Sequence, residues 1–145
     1  MISSDETESE LKNPRLHHVA VVVADLDEAL ARYRTLGFSG SERFVLAEQA
    51  VEVATLRSGA GWIELIRPTD PDGPIARYLV KRGEGVHHVA YAVPDLIAAL
   101  KDLEEAGVRL IDAVPRIGAH GWRIAFIHPE SCGGVLTELV QDRGP

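Results

Sequence analysis

The stretch Leu16 to Phe38, LHHVAVVVADLDEALARYRTLGF, returns from Val86 to Val108 as VHHVAYAVPDLIAALKDLEEAGV. The two align without a gap at an offset of 70 residues and agree at ten of 23 positions. The shared positions include a histidine doublet (His17-His18, His87-His88), an aspartate (Asp25, Asp95) and a closing glycine (Gly37, Gly107). One repetition in a chain of 145 residues means two copies of a single supersecondary unit, not a many-repeat solenoid. A unit of about 60 residues hides only about 60% of its unfolded surface. The copies are therefore expected to complete one another, and the expected place for any chemistry is between them.

Within each copy the pattern changes period from strand to helix. Leu16 to Val23 is β-branched and apolar, which predicts a buried strand. Asp25 then stands as an N-cap with Glu28 three residues on, and Leu26, Ala29, Leu30, Tyr33 and Leu36 follow at helical spacing to Gly37. Glu42 to Leu46, Val51 to Leu56 and Trp62 to Arg67 read as three strands, with Ser58 to Gly61 as the last turn. Arg67 to Pro74, RPTDPDGP, is turn chemistry, and Ile75 to Arg82 predicts a short helix ended by Gly83.

The second copy repeats the order. A strand is expected from Val86 to Val93, and a helix capped by Asp95 carries Leu96, Ala99, Leu100, Leu103 and Ala106. Strands are expected near Val108 to Val114, Trp122 to His128 and Val135 to Val140, with the loop Pro115 to Gly121, PRIGAHG, after the first. The expected fold is α+β: two tandem βαβββ modules making a curved mixed sheet with helices outside. The expected boundaries are a disordered acidic leader at 1–14 and one domain over 15–141. That domain divides into module one at 15–67, a linker with its short helix at 68–85, and module two at 86–141.

Composition narrows the function classes. A net charge of −7 argues against nucleic acid and requires a local basic patch for any anionic substrate. No apolar run approaches the roughly 20 residues of a membrane helix. The single cysteine, Cys132, excludes an internal disulfide and fits a reducing cytoplasm.

Strand alternation then groups side chains by face. His18 shares a face with Leu16, Ala20 and Val22, and His88 with Val86, Ala90 and Ala92. WIELI (Trp62 to Ile66) corresponds to LTELV (Leu136 to Val140), which sets Glu64 against Glu138. A carboxylate inside an apolar strand face is costly unless a cation or donor meets it. Two such histidines and two such glutamates at equivalent places suggest one cation shared by all four. Two nitrogens and two oxygens leave the metal open among Co²⁺, Ni²⁺, Mn²⁺ and Zn²⁺. His17 and His87 read as hydrogen-bonded boundary residues, and His120 and His128 as loop or surface residues.

These halves resemble the vicinal oxygen chelate fold of glyoxalase I, the extradiol dioxygenases and antibiotic-resistance proteins. Over nearly all of residues 15–141 the chain resembles the methylmalonyl-CoA epimerases. The resemblance rests on LHHVAVVVADLDEAL, DGPIARYLVKRGEGVHHVAY, PRIGAHG and HPESCGGVLTELV. It implies His18, Glu64, His88 and Glu138 as metal ligands, with cobalt preferred and manganese, nickel, zinc or magnesium as alternatives. It also implies a cytoplasmic or mitochondrial homodimer, of which the cytoplasmic form is expected here. Its activity would be interconversion of 2R and 2S methylmalonyl-CoA by loss of the C2 proton to a metal-stabilised enolate. Inversion needs a base on each face of the planar intermediate, and Glu64 and Glu138 are the expected pair.

The chain departs from the family pattern at three places. Some members carry glutamine at the position of Glu64 and a separate glutamate base on the neighbouring strand, where this chain has Val53; Glu52 is the next candidate. Glu130 stands where a lysine is common, and the first helix is about one residue short. The backbone of Gly118, Ala119, His120 and Gly121 is the expected contact for the acyl carboxylate. Lys81, Arg82, Arg116 and Arg123 are candidates for the CoA phosphates by charge alone. Two other readings use the same fold: a glyoxalase I-type lactoylglutathione lyase, and a ligand-binding protein without catalysis. An extradiol dioxygenase is disfavoured by the fourth ligand.

Overall fold

The computed structural model describes residues 11–142, so the first ten positions of the expected leader lie outside the described residues. The fold is α+β, with eight strands in mixed pairing and three α-helices among the described residues. The chain divides into two compact units, residues 18–88 and the remainder, with one cut inside the first histidine doublet and the other just after the second.

In the unit of residues 18–88, β1 (Arg15–Val22) leads to α1 (Leu26–Thr35), then β2 (Glu42–Leu46), β3 (Val51–Ser58) and β4 (Gly61–Pro68). The order is β2-β3-β4-β1, with β4 antiparallel to β3 and parallel to β1. Asp25 caps α1 by accepting from the Glu28 N–H at 2.9 Å, and Gly37 leaves the helix at a φ of +103° that an L side chain resists. Leu26, Ala29 and Leu30 of α1 pack on Ala54, Leu56 and Leu65. Val21 and Ile63 join that layer, so the helix covers the odd face of β1 and β4. α2 (Pro74–Arg82) packs against β4, so the expected linker helix is part of this unit.

In the other unit, β5 (Gly85–Val93) leads to α3 (Leu96–Glu105), β6 (Arg116–Ile117), β7 (Arg123–Ile127) and β8 (Thr137–Gln141), in the order β5-β8-β7-β6. Asp95 caps α3 through the Ala98 N–H, and Leu96, Ala99 and Leu100 pack on Ala125, Ile127 and Leu139. Ala90, Ile124, Phe126 and Val140 form a second apolar layer.

The strand expected over Val108 to Val114 is not formed. That segment makes a single bridge, Leu110 with Ile127, and the strand proper is only Arg116–Ile117. Both Ile111 and Asp112 donate to the Phe126 carbonyl, while the Asp112 carboxylate accepts from the Phe126 N–H at 2.8 Å. A side chain has taken a ladder position, and Pro115 has no N–H to resume it.

Candidate metal centre

Parity in β1 and β4 turns His18 and Glu64 away from the α1 layer. Ala20 pairs with Glu64 and Thr55 pairs with it from β3, so the carboxylate lies within three strands. His18, Glu64 and His88 are 1%, 8% and 3% exposed. Their ligand atoms all lie within 4.8 Å of one another. Nε2 of His18 is 3.3 Å from Nε2 of His88 and 3.4 Å from Oε2 of Glu64.

The donor set fits a divalent ion. Two donors bound at about 2.1 Å to one ion stand roughly 3.0–3.4 Å apart in octahedral or tetrahedral geometry. Two imidazole lone pairs at 3.3 Å repel unless a proton or cation lies between them. Burial pushes His88 down to about 4, against the opposing attraction of Glu64, so its ring is neutral and keeps a lone pair for a metal.

Glu138, the fourth expected ligand, belongs to the other unit and is not in that three-residue group. It stands on β8 opposite Ala90 and Phe126 and is 3% exposed. Burial raises it to about 8; Arg116 pulls the other way and Asp112 adds to the rise. A carboxyl so placed carries a proton at neutral pH unless a cation compensates it.

The remaining candidates separate clearly. Val53 is buried opposite Ile66, while Glu52 is bonded to Arg67 at 3.1 Å and Arg43 at 3.3 Å. Two guanidiniums claim that carboxylate, which removes Glu52 as the alternative base. Glu130 pairs with Arg109 at 2.6 Å. Arg116 stands 3.3 Å from Asp112 and over the Phe126 ring. In the PRIGAHG loop, Gly118 donates to the Trp122 carbonyl at 2.8 Å and Gly121 to Gly118 at 3.3 Å. Those two N–H groups therefore close the turn and are not spare donors for an anion. His120 holds a left-handed φ of 55°.

The histidines read as bystanders are more engaged than spacing suggested. His17 is buried, edge-on to Trp122 at 4.5 Å, with Nε2 3.8 Å from Asp142. His128 accepts the Glu130 N–H and so caps the turn Pro129–Cys132. His87 places Nδ1 2.8 Å from Nδ1 of His88. Burial, then the charges of His88 and Arg82, lower His87 to about 4. The one hint of this in the sequence was that the whole doublet, not just its second histidine, is repeated.

The chain matches the model of the Glyoxalase/Bleomycin resistance protein/Dioxygenase superfamily over residues 17–126, and it belongs to that superfamily. It is 43% identical over 129 residues to a mitochondrial methylmalonyl-CoA epimerase of Bos taurus, covering 88% of this chain and 74% of that protein. It is 41% identical over 130 residues to an ethylmalonyl-CoA/methylmalonyl-CoA epimerase of Cereibacter sphaeroides, covering 88% and 97%. Among solved structures, a variant of the Streptomyces coelicolor methylmalonyl-CoA epimerase, in complex with 2-nitronate-propionyl-CoA, matches with a TM-score of 0.83. That match is 40% identical and covers 88% of this chain and 96% of the other. Within the superfamily, the chain belongs to the methylmalonyl-CoA epimerase family.

Proposed function

We propose that this chain is a metal-dependent epimerase interconverting the 2R and 2S forms of methylmalonyl-CoA. The observation that carries the reading is the buried His18, Glu64 and His88 group, in a chain 43% identical to an epimerase of that name. His18, Glu64 and His88 hold the ion, and Glu138 is proposed as the fourth ligand from its equivalence to Glu64 in the repeat. Cobalt is the first choice, with manganese, nickel, zinc and magnesium behind it. When bound, a divalent ion supplies Lewis acidity toward two substrate oxygens and a template for their geometry.

The protein's own groups move the proton. The C2–H bond breaks as one glutamate carboxylate takes the proton, and the electron pair passes into the thioester carbonyl. The other glutamate, as the acid, returns a proton to C2 from the opposite face. Glu64 and Glu138 fill these roles and exchange them between the two directions. The loop of Gly118, Ala119, His120 and Gly121 is proposed as the wall beside the acyl carboxylate. The proposed assembly is a homodimer in the cytoplasm. Among the described residues no helix is long and apolar enough to cross a membrane.

Proton–deuterium exchange at C2 of methylmalonyl-CoA in D₂O tests the reading. Exchange with inversion, abolished by chelator and restored by cobalt, is expected. No exchange with metal bound would refute it, and turnover of the lactoylglutathione hemithioacetal instead would assign the lyase.

A further inference from the structure

We infer that His87 is a positioning residue that fixes the tautomer and ring plane of His88. One edge of the His88 ring, Nε2, lies 3.3 Å from Nε2 of His18; the other, Nδ1, lies 2.8 Å from Nδ1 of His87. A neutral imidazole has one N–H and one lone pair. Nε2 of His88 can offer its lone pair to a cation only when the proton sits on Nδ1. The short contact is then Nδ1–H of His88 donating to Nδ1 of His87, whose own proton is on Nε2.

The acceptor ring is itself held. His87 packs edge-on against Tyr78, with ring centroids 4.9 Å apart and planes at 74°. The Tyr78 hydroxyl donates to the Val86 carbonyl at 3.0 Å, tying α2 to the strand residue just before the doublet. The Arg82 guanidinium also lies over the Tyr78 ring, 5.6 Å from its centroid. Neighbouring strand residues point to opposite faces, so two adjacent rings meet only when both lean to one edge. Tyr78 holds His87 in that lean. Partners of this kind behind a ligating histidine typically govern metal affinity by about 10–100-fold.

The inference rests on the reading that His88 ligates a metal, so its test separates the two. His87→Phe keeps an aromatic ring beside Tyr78 and deletes the acceptor. His87→Asn restores an oxygen close to where Nδ1 stands. In metal-free full-length protein, imidazole ¹⁵N–¹H spectra should show His88 protonated on Nδ1 in the wild type and in His87→Asn, but not in His87→Phe. Calorimetric titration with Co²⁺ should give a Kd raised about 10–100-fold in His87→Phe and largely recovered in His87→Asn. An unchanged tautomer and Kd in His87→Phe would overturn the inference. So would a His87→Asn variant that is folded yet binds as weakly as His87→Phe. Should His87→Phe not fold, a wild-type His88 protonated on Nε2 overturns it, and one protonated on Nδ1 with Asn rescue sustains it. A wild type that takes up no Co²⁺ sinks the metal reading, while the tautomer still decides the role of His87.

Discussion

At the residue scale, the proposed chemistry turns on buried groups, and burial moves His88 and Glu138 in opposite directions. Glu64→Gln keeps an oxygen beside His18 and removes the proposed base. Epimerisation should fall by about 10²–10⁴-fold, the usual worth of a positioned acid–base group, while Co²⁺ content changes little. Retained turnover with metal bound would assign the base elsewhere, and Glu52 would remain a poor choice because Arg67 and Arg43 hold it. The metal-free protein should also show opposed pH trends. His87 and His88 titrate near 4 when folded and near 6.5 when unfolded, so the unfolded chain binds more protons between those values. Stability from this source is complete above 6.5 and is lost as pH falls toward 4. Glu138 has the reverse sign: folded near 8 and unfolded near 4.5, it costs stability as pH rises across that interval. Thermal melts of chelated protein from pH 4 to 9 should therefore peak between the two losses, near pH 6–7. With Glu138 as the proposed fourth ligand, addition of Co²⁺ should flatten the alkaline side. A monotonic rise of Tm to pH 9 without metal would contradict the upward shift that burial imposes on Glu138.

At the element scale, the two helices of the repeat are legible in the sequence because their stop and start signals are local. Asp25 and Asp95 cap as expected, and each bonds the N–H three residues on. Asp25→Ala and Asp95→Ala should each cost about 0.5–2 kcal/mol in denaturant melts, with catalysis intact, since neither side chain touches the proposed centre. The faces of β1, β4 and β8 were legible for a related reason, since period-2 alternation in an apolar strand leaves few options. The segment Val108 to Val114 has the composition of a strand without forming one. What interrupts it is a tertiary contact, the Asp112 carboxylate on the Phe126 N–H, which no local pattern announces. The surroundings of His87 are equally silent in the sequence, because Tyr78, which packs on it, comes from the linker helix. The glycines of PRIGAHG suggest free backbone donors in the sequence, yet the Gly118 and Gly121 N–H groups bond inside the turn. What glycine does allow at 118 is proximity: a Cβ there would meet Ile124 Cδ1 at 2.9 Å. Gly118→Val should push Ile124 and the loop apart and raise the KM for methylmalonyl-CoA more than it lowers kcat. Unchanged kinetics in a folded variant would remove the loop from the substrate site.

At the scale of the whole molecule, three candidate ligands far apart in sequence come within 4.8 Å only in the folded chain, so binding of an ion there would be linked to stability. Neither His18 nor His88 is positioned by the segment that positions Glu64. One sits on β1, one on β5 and the carboxylate on β4, with Thr55 of β3 beside it. An unfolded chain offers these groups singly and binds the ion weakly. An ion at 100 times its Kd should therefore stabilise the fold by about 2.7 kcal/mol, a rise in Tm on the order of 10 °C. Calorimetric melts of chelated and Co²⁺-loaded protein measure this directly, without substrate. His18→Ala and His88→Ala should each erase most of the increment, and Glu52→Gln should leave it whole because that carboxylate faces the arginines. A Tm indifferent to Co²⁺ would mean the three side chains do not share an ion. Any epimerase activity would then have to come from the glutamates without it, and chelator would leave C2 exchange untouched.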